Sequence, residues 1–486
     1  MQVRGERLAR LSWAYRKGSL VTSRDERRVA WVDQPSEESC RLVVDGVRGP
    51  ERKSCSTPAF SADATSVAAW AKLVEVPGAR AVSRLLVDAV PVGPDLAGGG
   101  DVRFAPTGAR WAASAQLEAT PDGGAVDAPR MRVFGPGGDL GTFRDTTTTV
   151  LDEKGEHVAW IASDAHDRRA LFVDGHELRD FGVPSVAATG GIRVARTGPN
   201  LGPEETVRWL ADDTLVGMAP SGLGWLVFRA GAAAGADSLR DWASHDVLWR
   251  SPRPAEGDPA LRARGSALLA GSLSTAERAP VACWWERPGG GRWRVACNGE
   301  PADDATCLYA GATPIAVSPG GDGKAYSCVE ADASGRPTTF VVANGRRLGP
   351  HVDVASVAVS DGGHFAYAAR DSADAPFFYV VDGRRVAGEW DEVFAPRFSP
   401  DGRHVAWGAR RGKGSRIDLV LDGRVRARAD LVAAPPRVGD DGSASWVVRR
   451  GRNVSRISMV HPRRAGGPDT PAGANPPSAS GRPSLP

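Results

Sequence analysis

A hydrolase of the nucleophile-elbow type needs Gly-x-Ser-x-Gly on a sharp strand-to-helix turn, so that the serine hydroxyl stands clear of the backbone. No such pentapeptide occurs, and the nearest segment, Ala219-Pro220-Ser221-Gly222-Leu223, reads as a hairpin turn. A phosphate loop needs its lysine followed by Ser or Thr at the start of a helix. In Gly408–Ser415 the lysine, Lys413, is followed by glycine, and the segment joins two strands. The eight histidines include no His-Glu-x-x-His, the zinc-protease pattern. None of the six cysteines (Cys40, Cys55, Cys283, Cys297, Cys307 and Cys328) belongs to a Cys-x-x-Cys pair, so a zinc site is not indicated. Asp and Glu are abundant, but no pair is singled out by spacing as glycosidase carboxylates would be. The residues therefore designate no catalytic, cofactor-binding or metal-binding group. The expectation is a chain without a cofactor that binds rather than catalyses.

Some residues recur at fixed places and call for a structural reading. His157, His364 and His404 each stand just before an apolar strand, where a hydrogen bond between neighbouring units is expected. Trp31, Trp160 and Trp407 recur inside that strand and read as core. Trp284 and Trp285 are adjacent, so on a strand they point to opposite faces. One of them is expected to be an exposed interface anchor. Cys283 and Cys297 flank the turn 287–292 almost symmetrically and could face each other across one hairpin. The plainer expectation for all six cysteines is small buried thiols. Asn453-Val454-Ser455 matches a glycosylation acceptor, a triplet that also arises by chance.

The elements that hold these residues follow from an internal repeat. The clearest unit spans 396–425 and contains Ser399-Pro400-Asp401-Gly402, then His404–Ala409, Ile417–Leu421 and Asp422-Gly423. Ser suits the first position of a turn, Pro fixes φ at the second, and Gly suits the last. A strand therefore ends near Phe398 and another begins near His404. The run His404–Ala409 is mostly apolar, as a strand buried on both faces must be. Ile417–Leu421 is a third strand, and Asp422-Gly423 is a strong two-residue hairpin signal leading to a fourth. The first half of the unit recurs at 22–31, 151–160 and 360–369, the second half at 42–49, 171–178, 341–349 and 380–388. Aligned on the apolar strand, units end at 31, 69, 113, 160, about 217, 283, 328, 367, 407 and 447. About ten units of roughly 40–50 residues have the period of a propeller. One such sheet cannot cover both apolar faces, whereas stacking about ten around an axis does.

The motif Ser-Pro-Asp-Gly-Arg-His-Val-Ala-Trp at 399–407, followed by Leu421-Asp422-Gly423, resembles the WD40-like (PD40) repeats of the bacterial periplasmic protein TolB. It is similar also to the propellers of prolyl-oligopeptidase-type enzymes. The pattern covers about two-thirds of the chain and implies an all-β propeller of about ten four-stranded antiparallel units. It implies fold rather than ligand, because such propellers serve as partner-binding scaffolds and as gates on hydrolases. The chain departs from the first group by lacking a signal peptide and TolB's additional N-terminal domain. It departs from the second by leaving no room for a hydrolase domain.

The expected organisation is an N-terminal segment 1–17, propeller repeats 18–461, and a Pro/Gly/Ser-rich disordered tail 462–486. The alternation Leu11–Tyr15 suggests a ring-closing strand pairing with 456–460. The rhythm loosens at 231–265, so one large ring and two rings in series both remain open. A formal charge of +3, from 61 Lys+Arg and 58 Asp+Glu, argues against a nucleic-acid partner. No apolar run approaches the roughly 18 residues of a membrane helix. Residues 1–18 lack the apolar stretch of a signal peptide, which places the chain in the cytoplasm, or in the periplasm or envelope if the true start lies elsewhere. The expected function is a non-catalytic scaffold binding another protein through its variable loops, with Arg410, Arg411, Lys413 and Arg416 forming one positive contact loop. The alternative is a carbohydrate- or peptide-processing or binding propeller with its site at the central channel mouth.

Overall fold

The structure is a computed structural model that describes residues 2–73, 82–117, 131–146, 148–163, 168–184, 206–210, 215–221, 224–231, 244–250, 267–268, 273–288, 291–412, 414 and 416–460. The expected tail 462–486 and most of the looser stretch 231–265 lie outside them. The described residues form ten antiparallel sheets and no α-helix. The sheets are numbered here in chain order, and the residues aligned in the repeat all fall within their second strands. Sheet 9 is representative. Val405–Arg410 pairs with Ile417–Leu421, which pairs with Arg424–Ala429. Its inner strand is in two pieces, Glu392–Val393 and Arg397–Phe398, both pairing with Val405–Arg410. Pro396 sits in that break. Proline has no N–H to give a ladder, so it is tolerated where a strand is an edge, as the innermost strand is.

The second strands are buried on both faces because each sheet is covered on both sides. Trp407 and Tyr379 stack across sheets 8 and 9 with ring centroids 4.4 Å apart, and the Tyr379 hydroxyl donates to the Phe394 carbonyl at 2.7 Å. Trp31 and Trp160 are fully buried in the same way. Trp284 and Trp285 do point to opposite faces, but neither is exposed. Trp284 packs in the cluster shared by sheets 5 and 6, and Trp285 in the one shared by sheets 6 and 7. The expected interface anchor is therefore a second core residue, because a sheet inside the stack has no solvent face. Apolar clusters join sheets 1 to 4 and sheets 5 to 10 in the same manner. Trp209 of sheet 5 donates to the Val150 carbonyl of sheet 4 at 3.3 Å, and a further cluster joins sheet 10 to sheet 1 through Val447, Val454, Val29 and Trp31. Face-to-face antiparallel sheets packed in this sequence are a β-propeller.

The strand that completes sheet 10 is Gln2–Arg10, running antiparallel to Asn453–Val460 from Gln2↔Val460 to Arg10↔Asn453. Leu11–Tyr15, the segment singled out by its alternation, is not that strand. Leu11 is buried in the seam between sheets 10 and 1, and Tyr15 makes one isolated bridge to Asp33. The exposed strand Gln2–Arg10 is mostly polar, so its apolar periodicity is weak, and its place is set by backbone pairing.

The six cysteines form three disulfides, Cys40–Cys55, Cys283–Cys297 and Cys307–Cys328. This corrects the expectation of free thiols. Cys283 and Cys297 are register partners on adjacent strands, as the symmetric spacing allowed. Cys40–Cys55, 15 residues apart, joins sheets 1 and 2, and Cys307–Cys328, 21 residues apart, joins the approach to the first strand of sheet 7 to its second strand.

Candidate functional site

The two rims of the propeller are built differently, and the repeat explains why. In sheets 1, 2, 4, 6, 7, 8 and 9 the turn between third and fourth strands begins with Asp or Asn, at φ between 49° and 52°. That conformation suits Asp, Asn and Gly. The first side-chain oxygen of this residue then accepts the N–H that opens the second strand: Val29 to Asp45 at 2.9 Å, Val158 to Asp174 at 2.8 Å, Val405 to Asp422 at 3.0 Å. Asn298 and Asn344 do the same for Ala282 and Lys324, both at 3.0 Å. Each such bond ties the third–fourth turn to the first–second turn, so both lie on one rim.

The recurring histidines belong to this lock. The Nδ1 atoms of His157, His364 and His404 lie 2.7, 2.8 and 2.9 Å from the second oxygens of Asp174, Asp382 and Asp422. In sheet 1 Arg28 takes that place, 2.8 Å from Asp45. The expected polar contact between neighbouring units is thus a contact within one sheet. What the neighbour supplies is packing: a Cβ on Gly402 would come within 3.1 Å of His364, and one on Gly442 within 2.9 Å of His404. The turn glycine is required for its φ and for this close approach.

The opposite rim carries the loops between second and third strands. In sheet 9, Arg410 pairs with Glu392 at 2.7 Å, Arg411 with the buried Asp418 at 3.3 Å, and Arg416 with Asp430 at 3.3 Å. Arg411 also lies 5.8 Å from the Trp390 ring centre. Lys413, the fourth residue of the expected contact loop, lies outside the described residues. The three arginines form part of a charge network with local carboxylates rather than an uncompensated patch. Sequence reasoning missed this because Glu392 and Asp430 come from other parts of the sheet.

Along the axis lies a cavity of about 800 Å³. Its walls are the inner strands and first–second turns of sheets 6 to 10, with Arg208 from sheet 5. Among the described residues the lining carboxylates are Glu277 and Asp361, and both are engaged. Arg24 of sheet 1 reaches Glu277 at 3.0 Å and comes within 3.4 Å of the Pro106 carbonyl of sheet 3. Asp361 accepts from the Gly320 N–H at 2.5 Å and pairs with Arg278. Burial works against its charge, but the Gly320 N–H, the Ser318 hydroxyl and Arg278 hold its carboxyl below the ordinary range. Arg208 is desolvated against the wall and faces the positive charge of Arg103, and both lower its pKa. This arrangement can attract and orient an anion.

Two further buried carboxylates serve the fold. Asp33 accepts from Trp31 Nε1 at 2.9 Å and Glu286 from Trp284 Nε1 at 3.3 Å, each two residues on and so on the same strand face. Arg48 and Arg294 neutralise them at 3.3 and 2.7 Å. Among the described residues no group of three or more His, Cys, Asp and Glu is placed to hold a metal ion. No helix among them is long and apolar enough to cross a membrane.

No family model matches this chain, and no curated protein matches it. Solved structures do. The eukaryotic initiation factor is similar at 11% identity and a TM-score of 0.42, covering 90% of this chain and 92% of that one. TolB from Acinetobacter baumannii is similar at 12% identity and a TM-score of 0.25, over 62% of this chain and 63% of its own. A structure of prolyl endopeptidases is similar at 14% identity and a TM-score of 0.32, over 79% of this chain and 53% of its own.

Proposed function

We propose that this chain is a non-catalytic β-propeller that binds another protein through the rim bearing its second–third loops. The observation that carries this reading is the contrast between rims. In sheets 1, 2, 4, 6, 7, 8 and 9 the third–fourth turn is two residues long and locked by the Asp or Asn bridge. The second–third connections range from two residues at 451–452 to fourteen at 117–130. Loops free of a structural duty on a rigid support are where binding concentrates. The ten sheets are read as one closed ring, supported by the apolar seam between sheets 10 and 1. The 410–416 loop is one docking element on this reading, with Lys413 and the outward edges of Arg410, Arg411 and Arg416 meeting an acidic partner. Three disulfides support an oxidising compartment outside the cytoplasm, against the placement expected from the first residues.

The second reading, a ligand at the axial mouth, is favoured by the cavity itself. Peptide or glycoside processing there would have to use Glu277 or Asp361, which are held by arginines.

The test is association kinetics with a partner captured from the native cell. Arg411 shields the buried Asp418, so it is replaced by Gln and only Lys413 is reversed. R411Q/K413E should slow association about tenfold or less, since rim charges act mainly on encounter, while R424E on the locked rim should not. Equal losses from the two rims would sink the assignment.

A further inference from the structure

The inner strands of the ten sheets can be aligned by pairing register. In each, one residue faces the second residue of the second strand. That residue is Arg103 in sheet 3, Arg208 in sheet 5, Arg397 in sheet 9 and Arg437 in sheet 10. In the other six sheets it is Val, Ala or Ser, as with Val21 and Ala358. No sheet has a carboxylate there. Equivalent register on inner strands means one level along the axis, so the chain sets four arginines, otherwise neutral residues, around a single level of the channel. All four are exposed to the channel, although the surrounding wall desolvates the Arg208 guanidinium.

We propose that this level is a binding site for an acidic peptide segment, whose side-chain carboxylates are taken by Arg397 and Arg437, with Arg208 adding positive potential.

Arg397, Arg437 and Arg208 line one cavity. Arg397 has no hydrogen-bond or ion-pair partner among the described residues. Arg437 donates to the Arg24 carbonyl at 3.2 Å, leaving other guanidinium donors for a guest. The nearby acids have partners already: Asp101 on Arg103, Glu277 on Arg24 and Asp361 on Arg278, while the buried Glu26 takes Ser445 on one oxygen and faces the charge of Arg437 and Arg456. A planar guanidinium fork matches a carboxylate in two parallel hydrogen bonds. A cavity of this size takes a few residues of peptide.

The walls also limit how a guest binds. Pro314, Pro396 and Pro436 interrupt or flank the inner strands, so their free edge cannot add a continuous guest strand. Recognition falls to side chains. Phe398 is the one aromatic in the lining, and it packs into the core between sheets 8 and 9. Bases of single-stranded nucleic acid would lack the stacking platform they use.

The test uses the full chain and fluorescein-labelled hexaglutamate, read by anisotropy at low and physiological salt. Binding should weaken with salt. R397A/R437A should lose at least about tenfold in affinity, with R397K/R437K in between, since lysine keeps the charge but not the fork. R403A, on the turn rim, and K413E, on the loop rim, should bind as wild type. Unchanged affinity in R397A/R437A overturns the proposal, as does tighter binding of an oligothymidylate of equal charge. If the double variant does not fold, wild-type protection decides. Hexaglutamate should shield Arg397 and Arg437 from phenylglyoxal in mass spectra, and no shielding overturns the site. Its failure would leave the loop-rim reading standing, because that reading depends on other residues.

Discussion

Glu26 of sheet 1 accepts a hydrogen bond from Ser445 of sheet 10, 419 positions away in the chain. Glu26 stands where the repeat elsewhere has the turn glycine Gly402, and it adopts that glycine's left-handed backbone at φ 60°. It is 3% exposed, and its other carboxylate oxygen has no hydrogen-bond partner. A non-glycine residue in this conformation costs of order 1 kcal/mol and persists only where surrounding contacts hold it. Here the contacts are those of the seam between sheets 10 and 1.

Burial pushes the Glu26 carboxyl above its ordinary range, more than Ser445, Arg437 and Arg456 pull it down. A raised carboxyl in the folded state favours folding below the unfolded value and loses that contribution as pH rises through the folded one. E26Q should therefore gain on wild type as pH increases from about 4 to 8. Paired melting curves across that range check it, and a constant difference would contradict the assignment.

Deleting residues 2–10 removes the outermost strand of sheet 10 and bares the ladder groups of Asn453–Val460. Unpaired edges recruit other chains. The deletion should lower the melting temperature by several degrees and shift the chain toward larger species in size exclusion. An unchanged monomer with an unchanged melt would show the strand to be dispensable.

Asp422 accepts the Val405 N–H and meets His404. D422A leaves that N–H without its acceptor and should cost about 1–3 kcal/mol. D422N keeps both the acceptor and the left-handed conformation, as Asn298 and Asn344 do in their sheets, and should cost less than about 1 kcal/mol. Denaturant midpoints of the two variants distinguish them.

Opening Cys283–Cys297, which closes a loop with a separation of 14 residues, should cost about 3 kcal/mol on chain entropy. C283S/C297S should unfold at lower denaturant than wild type. Protein from its native compartment, denatured without reductant in the presence of an alkylating agent, should show all six cysteines unmodified. Free thiols there would remove the support for an oxidising compartment.

The fold was legible because each sheet is specified locally. A Ser-Pro-Asp-Gly turn, an apolar strand and an Asp-Gly hairpin lie within about forty residues, and local turn chemistry and strand pattern suffice to read them. The axial arginines were written in the sequence too, at Pro396-Arg397-Phe398 and Pro436-Arg437-Val438. They went unread because inner strands of two residues carry no periodicity.

The sequence alone determined the repeat, the all-β class, the turn residues and the core tryptophans, since each rests on interactions within one unit. Only the tertiary structure decided which strand completes sheet 10, that Trp285 is buried, which cysteines pair across sheets, and that Arg208, Arg397 and Arg437 share one cavity. Those properties depend on contacts between units, some adjacent and some far apart in the chain. Nothing in a local pattern fixes how far around the axis one sheet stands from another, and that spacing decides what each side chain meets.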